Sequence, residues 1–186
     1  RPQTDLVGDL VDLQQRVATL ADNRLVTLTG SGGVGKTRAA IEIGWLVIDE
    51  FPDGAWLIEL APIADPSLVA GAIGSALGIQ TQPDMTLIES IVDWCIGRRV
   101  LLIIDNCEHV LDPAVEVIGA IVAGCPTATV LATSREPLGI AGEYVVRIPS
   151  LAPVHSAELF GTRARAAGAQ LTGTGDEAAA IARYQD

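Results

Sequence analysis

Residues 30–37 read GSGGVGKT, with glycine at four of the first six positions and Lys36 and Thr37 closing the run. Glycine takes positive φ freely and leaves room for a ligand to approach the main chain. The spacing Gly30-x-x-x-x-Gly35-Lys36-Thr37 is that of a phosphate-binding loop, the Walker A pattern. In such a loop the N–H groups of Gly30, Ser31, Gly32, Gly33, Val34 and Gly35 curl into an anion-binding nest. A helix opening through Lys36, Thr37 and Arg38 adds its positive end. Lys36 is placed to reach the β- and γ-phosphates, and the Thr37 hydroxyl to bind Mg²⁺. A flexible surface turn would also be rich in glycine. It would not need the flanks found here, an apolar strand-like stretch LVTLT at 25–29 and a helix-like stretch RAAIEIGWLVI at 38–48.

A second stretch, RRVLLIIDNCEHVLD at 98–112, is an apolar run ending in an acid, the Walker B pattern. A strand buried on both faces delivers Asp105 to the carboxyl edge of a sheet, beside the phosphate loop, where it holds Mg²⁺ directly or through water. Asn106 follows and cannot take a proton. Glu108 is the nearest carboxylate, and it has two readings, a base that orients the attacking water or a cap on the next helix. A third stretch, VLATSRE at 130–136, ends a strand in Thr133, Ser134 and Arg135 at the same edge. A polar residue there can sense a γ-phosphate and an arginine can pair with it bidentately; a solvated loop arginine is the alternative. Cys107-x-His109 places two metal-ligand types one residue apart, with no second pair elsewhere, and is not a zinc-site spacing.

These residues need elements to position them. Leu10, Leu13, Val17 and Leu20 recur at helical spacing over Asp9–Ala21. Strands are expected at Leu25–Thr29, Ala55–Leu60, Val100–Asp105, Ala128–Thr133 and Glu143–Ile148, with helices between them. Asp65-Pro66 is a helix start, Thr86-x-x-Glu89 is a capping box, and Asp112-Pro113 is expected to cap the helix after Asp105. Strands alternating with helices predict an α/β three-layer sandwich with a parallel sheet. The stretch PSLAP at 149–153 reads as a linker, dividing a nucleotide-binding domain over 1–150 from the start of a helical subdomain over 151–186.

The 186 residues are 49% hydrophobic, which suits a sheet covered on both faces. Mean hydropathy is +0.38. Apolar runs are too short to span a membrane, and no signal peptide is visible. The formal net charge of −11 argues against direct nucleic-acid binding by this segment and against a nucleic-acid motor. Three cysteines without a C-x-x-C pair predict reduced, buried thiols and a cytoplasmic location. The chain begins RPQT and stops within a helix-like stretch, so it reads as a piece of a longer protein.

LVTLTGSGGVGKTRAAIEI, VLLIIDNCEHVLD and VLATSREPLGIAGE together resemble the nucleotide-binding domain of the STAND-class P-loop ATPases. Within that class the resemblance is to the NB-ARC-like module of large bacterial transcriptional regulators of the LuxR and SARP type. It covers roughly residues 2–167 and includes the DNCEH phrase at 105–109. It implies a signalling switch that binds ADP at rest and ATP when activated, with Mg²⁺, and that hydrolyses ATP slowly to reset. It also implies an ASCE sheet order of 5-1-4-3-2 and a helical, ARC-like identity for the subdomain over 151–186. Further domains of the same parent chain, a DNA-binding one among them, and a nucleotide-dependent oligomer are implied as partners. Residue by residue, it assigns Gly30 to Thr37 to the phosphates and Mg²⁺, Asp105 to the Walker B acid, and Arg135 to a sensor arginine. Val7 and Gly8 correspond to the segment that lies against adenine, although the family's V-G-R-E is Val7-Gly8-Asp9-Leu10 in this chain. The alternative is a small-molecule kinase using the same loop, which would want an arginine-rich lid; the 12 basic residues are scattered instead.

Overall fold

The computed structural model describes residue 20, residues 22–79 and residues 84–149. The chain divides into two units, Arg1–Ile148 and Pro149–Asp186, and the sheet belongs to the first. The expected helix over Asp9–Ala21 (Leu20 apart), the Val7-Gly8 segment and the whole of 151–186 lie outside the described residues.

Strand β1 (Leu25–Thr29) runs into the glycine loop and helix α1 (Lys36–Val47). Next come β2 (Ala55–Glu59), α2 (Val69–Ala76), α3 (Leu87–Cys95) and β3 (Leu101–Asp105). A 3-10 turn at Cys107–Val110 leads into α4 (Leu111–Gly124), followed by β4 (Thr129–Ser134) and β5 (Glu143–Arg147). All pairings are parallel, in the order β2-β3-β4-β1-β5. This is the 5-1-4-3-2 order read from the opposite edge. The strand carrying the glycine loop and the strand ending in Asp105 are therefore separated by β4, as in the ASCE division of P-loop proteins.

Period-2 alternation along the strands divides the core in two. Leu101, Ile103, Val26, Leu28 and Leu131 face α1, where Ala40, Ile43, Val47, Phe51 and Leu20 meet them. Leu102, Ile104, Leu25, Val130 and Ala132 face the other way, into a larger cluster with Ile73, Ile91, Ile118 and Ile121 from α2, α3 and α4. The central strands β1, β3 and β4 are buried at every position, and β3 accordingly reads as a continuous apolar run up to Asp105 rather than an alternating one. Gly44 lets α1 lie close on β3, since a Cβ there would stand 2.6 Å from Ile103 Cδ1.

Side chains decide some of the element ends. The Asp65 carboxylate accepts from Ser67 N–H at 3.0 Å, with Pro66 at the first position of a short 3-10 turn. Thr86 and Glu89 form a reciprocal capping box: Thr86 N–H donates to Glu89 at 2.7 Å and Glu89 N–H to the Thr86 hydroxyl at 3.2 Å. Just before β1, the Arg24 guanidinium donates to Val122 O at 2.7 Å and so satisfies a carbonyl in the last turn of α4. Asp112-Pro113 departs from expectation. The 3-10 turn already starts the rotation, the cap position falls on Val110 without a side-chain bond, and Asp112 sits inside the first turn of α4.

Cys95, Cys107 and Cys125 are free and buried. Burial pushes the Cys95 and Cys107 thiols up to about 12, so both stay protonated at neutral pH. Among the described residues no helix is long and apolar enough to cross a membrane.

Candidate functional site at the carboxyl edge of the sheet

Because the sheet is parallel, β1, β3 and β4 release their chains at the same edge. The glycine loop follows β1, Asp105 ends β3, and Thr133, Ser134 and Arg135 lie at the end of β4.

The loop is fixed at its entry by a strand that the sequence does not connect with it. Ile148, just past β5, donates its N–H to Thr29 O at 2.7 Å. Its own carbonyl oxygen would stand 2.8 Å from a Cβ at Gly30, so only glycine fits there. At the exit, Gly35 takes φ 91° and serves as the N-cap of α1. No side chain caps this helix and no acidic residue stands in its first turn. The positive end of this 12-residue helix thus has no acid in its own first turn, which suits a bound phosphate.

Lys36 is 8% exposed, and its ammonium donates to Gly30 O at 2.8 Å and Ser31 O at 3.1 Å. The charge therefore spans the loop from inside. Thr37, one residue on, donates its hydroxyl to Asp105 Oδ1 at 2.7 Å. A hydroxyl and a carboxylate held this close, one on the loop helix and one on β3, could supply two oxygens of a six-oxygen shell suited to Mg²⁺. That ion is typically held by one or two protein oxygens plus phosphates and water rather than by an all-protein cage. Arg38 lies further along α1 and pairs with Glu42 at 3.2 Å.

Asp105 is 7% exposed and has a second donor, the Thr133 hydroxyl at 2.5 Å. The same hydroxyl accepts the Asn106 N–H at 2.9 Å. Thr133 thus ties β4 to β3 and orients the carboxylate. This role is hidden in the sequence, because a threonine in a strand is already explained by its β-branched shape. Asn106 has φ 66°. The left-handed turn directs its N–H at Thr133, and Asn is one of the few side chains that enter this region routinely. The residue after Asp105 therefore answers a backbone requirement. Ser134 is buried, with its hydroxyl accepting from Glu136 N–H at 3.3 Å.

Glu108 and Arg135 meet each other. Arg135 Nε lies 3.3 Å from Glu108 Oε1, with the arginine side chain 69% exposed and the glutamate 12% exposed. The buried Glu108 Oε2 has no hydrogen-bond partner among the described residues. The Arg135 Nη2 also lies 3.8 Å from where a Cβ on Gly32 would sit, so the guanidinium reaches from the glutamate to the glycine loop. Cys107 and His109, by contrast, diverge. The thiol is buried and donates to Ile104 O, while the imidazole is exposed.

Thr133→Val is expected to destabilise the chain by about 1–3 kcal/mol, because it strands the Asn106 N–H and removes a donor from a buried carboxylate. Urea denaturation would read this as a lower midpoint at unchanged slope, and Thr133→Ser should recover most of it.

No protein-family model matches the chain. Over 148 residues it is 45% identical to a protein named as an HTH-type transcriptional regulator in Mycobacterium tuberculosis, covering 79% of this chain and 17% of that protein. Over 184 residues it is 30% identical to the regulatory protein AfsR of Streptomyces griseus, covering 91% of this chain and 18% of that one. The chain thus spans less than a fifth of the length of these relatives. Among solved structures, a STAND protein with a tetratricopeptide repeat sensor from Pyrococcus horikoshii superposes with a TM-score of 0.58 at 19% identity. That match covers 98% of this chain and 28% of that one.

Proposed function

We propose that this chain, which has the fold of a STAND protein and is related to a segment of much larger bacterial regulatory proteins, is their ATP- and ADP-binding P-loop switch. The observation that carries this reading is the hydrogen bond between Thr37 and Asp105, with the Lys36 ammonium inside the adjoining loop. The start of α1, which follows β1, and the end of β3 are brought together across the edge of β4 as a polar, charged cluster, at a helix end with no acid in its own first turn. The backbone N–H groups of residues 30–37 would hold the phosphates. Lys36 would neutralise them, and Thr37 and Asp105 would bind Mg²⁺, which supplies the charge that neutralises the transferring phosphoryl group.

Slow hydrolysis fits the same geometry. Asn106 serves the backbone, Glu108 is the candidate base, and Glu108 is paired with the arginine that would stabilise the developing charge. The two groups that chemistry would need are thus engaged with each other and must part before either can act. A switch role in signalling or transcription would put the readout in other domains of the parent chain or in a nucleotide-dependent oligomer. The test is to denature freshly purified protein and analyse the released small molecules. Stoichiometric ADP is expected. Protein that neither carries ADP nor takes it up on incubation with Mg²⁺ would refute the reading.

A further inference from the structure

We propose that Glu108 sets the balance between triphosphate and diphosphate nucleotides, by competing with a third phosphate for Arg135. The inference rests on the nucleotide-binding reading above and names a determinant within that site.

Glu108 lies in the 3-10 turn directly after β3, and Arg135 directly after β4. The adjacent, parallel strands set both side chains at one edge of the sheet. Their ion pair at 3.3 Å is lopsided, with the carboxylate 12% exposed and the guanidinium 69% exposed. The second glutamate oxygen is buried and has no hydrogen-bond partner among the described residues. Arg135 therefore supplies what compensation this carboxylate has there by direct contact. The same guanidinium reaches the middle of the phosphate loop beside Gly32. It stands between two anionic claimants, one built in and one brought by the ligand.

A guanidinium has five donors in a planar fork. Nε faces Glu108, which leaves the Nη groups to turn toward a terminal phosphate near Gly32. A phosphate that draws these Nη groups toward itself shifts the guanidinium away from Glu108, and the Nε contact, already 3.3 Å long, lengthens. Glu108 then approaches the state of a buried, uncompensated charge, which proteins strongly disfavour. This cost falls on a nucleotide whose third phosphate recruits Arg135. A diphosphate, held by Lys36 and the loop amides, leaves the pair intact. Glu108 thus biases the site toward the diphosphate and sets the opposing force that a triphosphate must overcome. The exchange also uncovers the Glu108 carboxylate only when a third phosphate is present, which would confine its use as a base to the triphosphate-bound state.

The experiment is calorimetric titration of Mg²⁺-ADP and of a Mg²⁺-bound non-hydrolysable β,γ-imido ATP analogue into the wild-type chain, Glu108→Gln, Arg135→Ala and the double variant. Glutamine keeps the shape and removes the charge. It is expected to tighten the triphosphate analogue about twofold to tenfold relative to ADP, the range for a partly screened ion pair with one buried member. ADP affinity should stay within about twofold of wild type, which also reports that the variant is folded. Arg135→Ala is expected to weaken the analogue relative to ADP. In the Arg135→Ala background, Glu108→Gln should change nothing, because the competition has lost its object. An unchanged analogue-to-ADP ratio in Glu108→Gln overturns the proposal while leaving nucleotide binding intact. So does a Glu108→Gln effect that persists without Arg135. Absence of binding of either nucleotide to the wild-type chain overturns the nucleotide reading itself, and this inference with it.

Discussion

Replacing Lys36 with alanine is expected to lower the affinity for both ATP and ADP roughly 10- to 150-fold. That range corresponds to one charge-assisted hydrogen bond worth about 1.5–3 kcal/mol. Two effects combine. Lys36 carries the cation inside the glycine loop and is nearly buried, so alanine leaves the phosphates without a positive charge at that point. Its ammonium also bridges the carbonyl oxygens of Gly30 and Ser31, so alanine leaves the loop entry less well ordered. The lost charge predicts weaker binding of any phosphate ligand, inorganic pyrophosphate included. Together the two effects predict that Lys36→Met, which keeps the stem and drops the charge, falls almost as far as alanine. Equal affinities for wild type and Lys36→Ala would remove Lys36 from the site.

The second large effect concerns turnover. The chain is expected to hydrolyse ATP far more slowly than the enzyme median of ~10 s⁻¹. An attacking water must be oriented and charge on the γ-phosphoryl group stabilised. Arg135, which reaches the glycine loop at this edge, is a candidate for the second task, and it is held by Glu108, the candidate for the first. Arg135→Ala is then expected to lower the residual rate by on the order of 10³ or more, the scale seen where stabilising arginines are removed. Glu108→Gln should slow the residual rate without weakening nucleotide binding. A steady-state assay reads all three proteins. Several turnovers per second from the wild-type chain would contradict the switch and favour a phosphotransferase. A rate unchanged in Glu108→Gln would assign the base elsewhere, with Asp105 acting through metal-bound water as the simplest alternative.

Much of this architecture is legible in the sequence, for identifiable reasons. The phosphate loop is a local pattern, and the strand ending at Asp105 announces itself by being apolar on both faces. The sheet order follows from what these motifs resemble, and the pairing of β1 with β4 bears it out. Element ends are less legible where no side chain decides them. Helix α1 begins at Lys36 because Gly35 turns the chain, and α4 begins at Leu111 behind a 3-10 turn that carries no sequence signature. The cross-strand contacts are not legible at all. Thr133 orients Asp105, Ile148 closes on Gly30, and Glu108 meets Arg135, each through neighbours far away in the chain. Glu108 and Arg135 are each readable as candidates from position alone. That they engage one another requires knowing how β3 and β4 lie side by side.

Nucleotide binding at this edge is tested most directly by calorimetric titration of the wild-type chain with ADP in the presence of Mg²⁺, repeated with saturating pyrophosphate in the cell. Saturable binding at one site per chain is expected, largely abolished by pyrophosphate because both ligands occupy the loop at 30–37. Saturable ADP binding that pyrophosphate leaves untouched would place the nucleotide elsewhere. No saturable binding at all would contradict a nucleotide site in this chain.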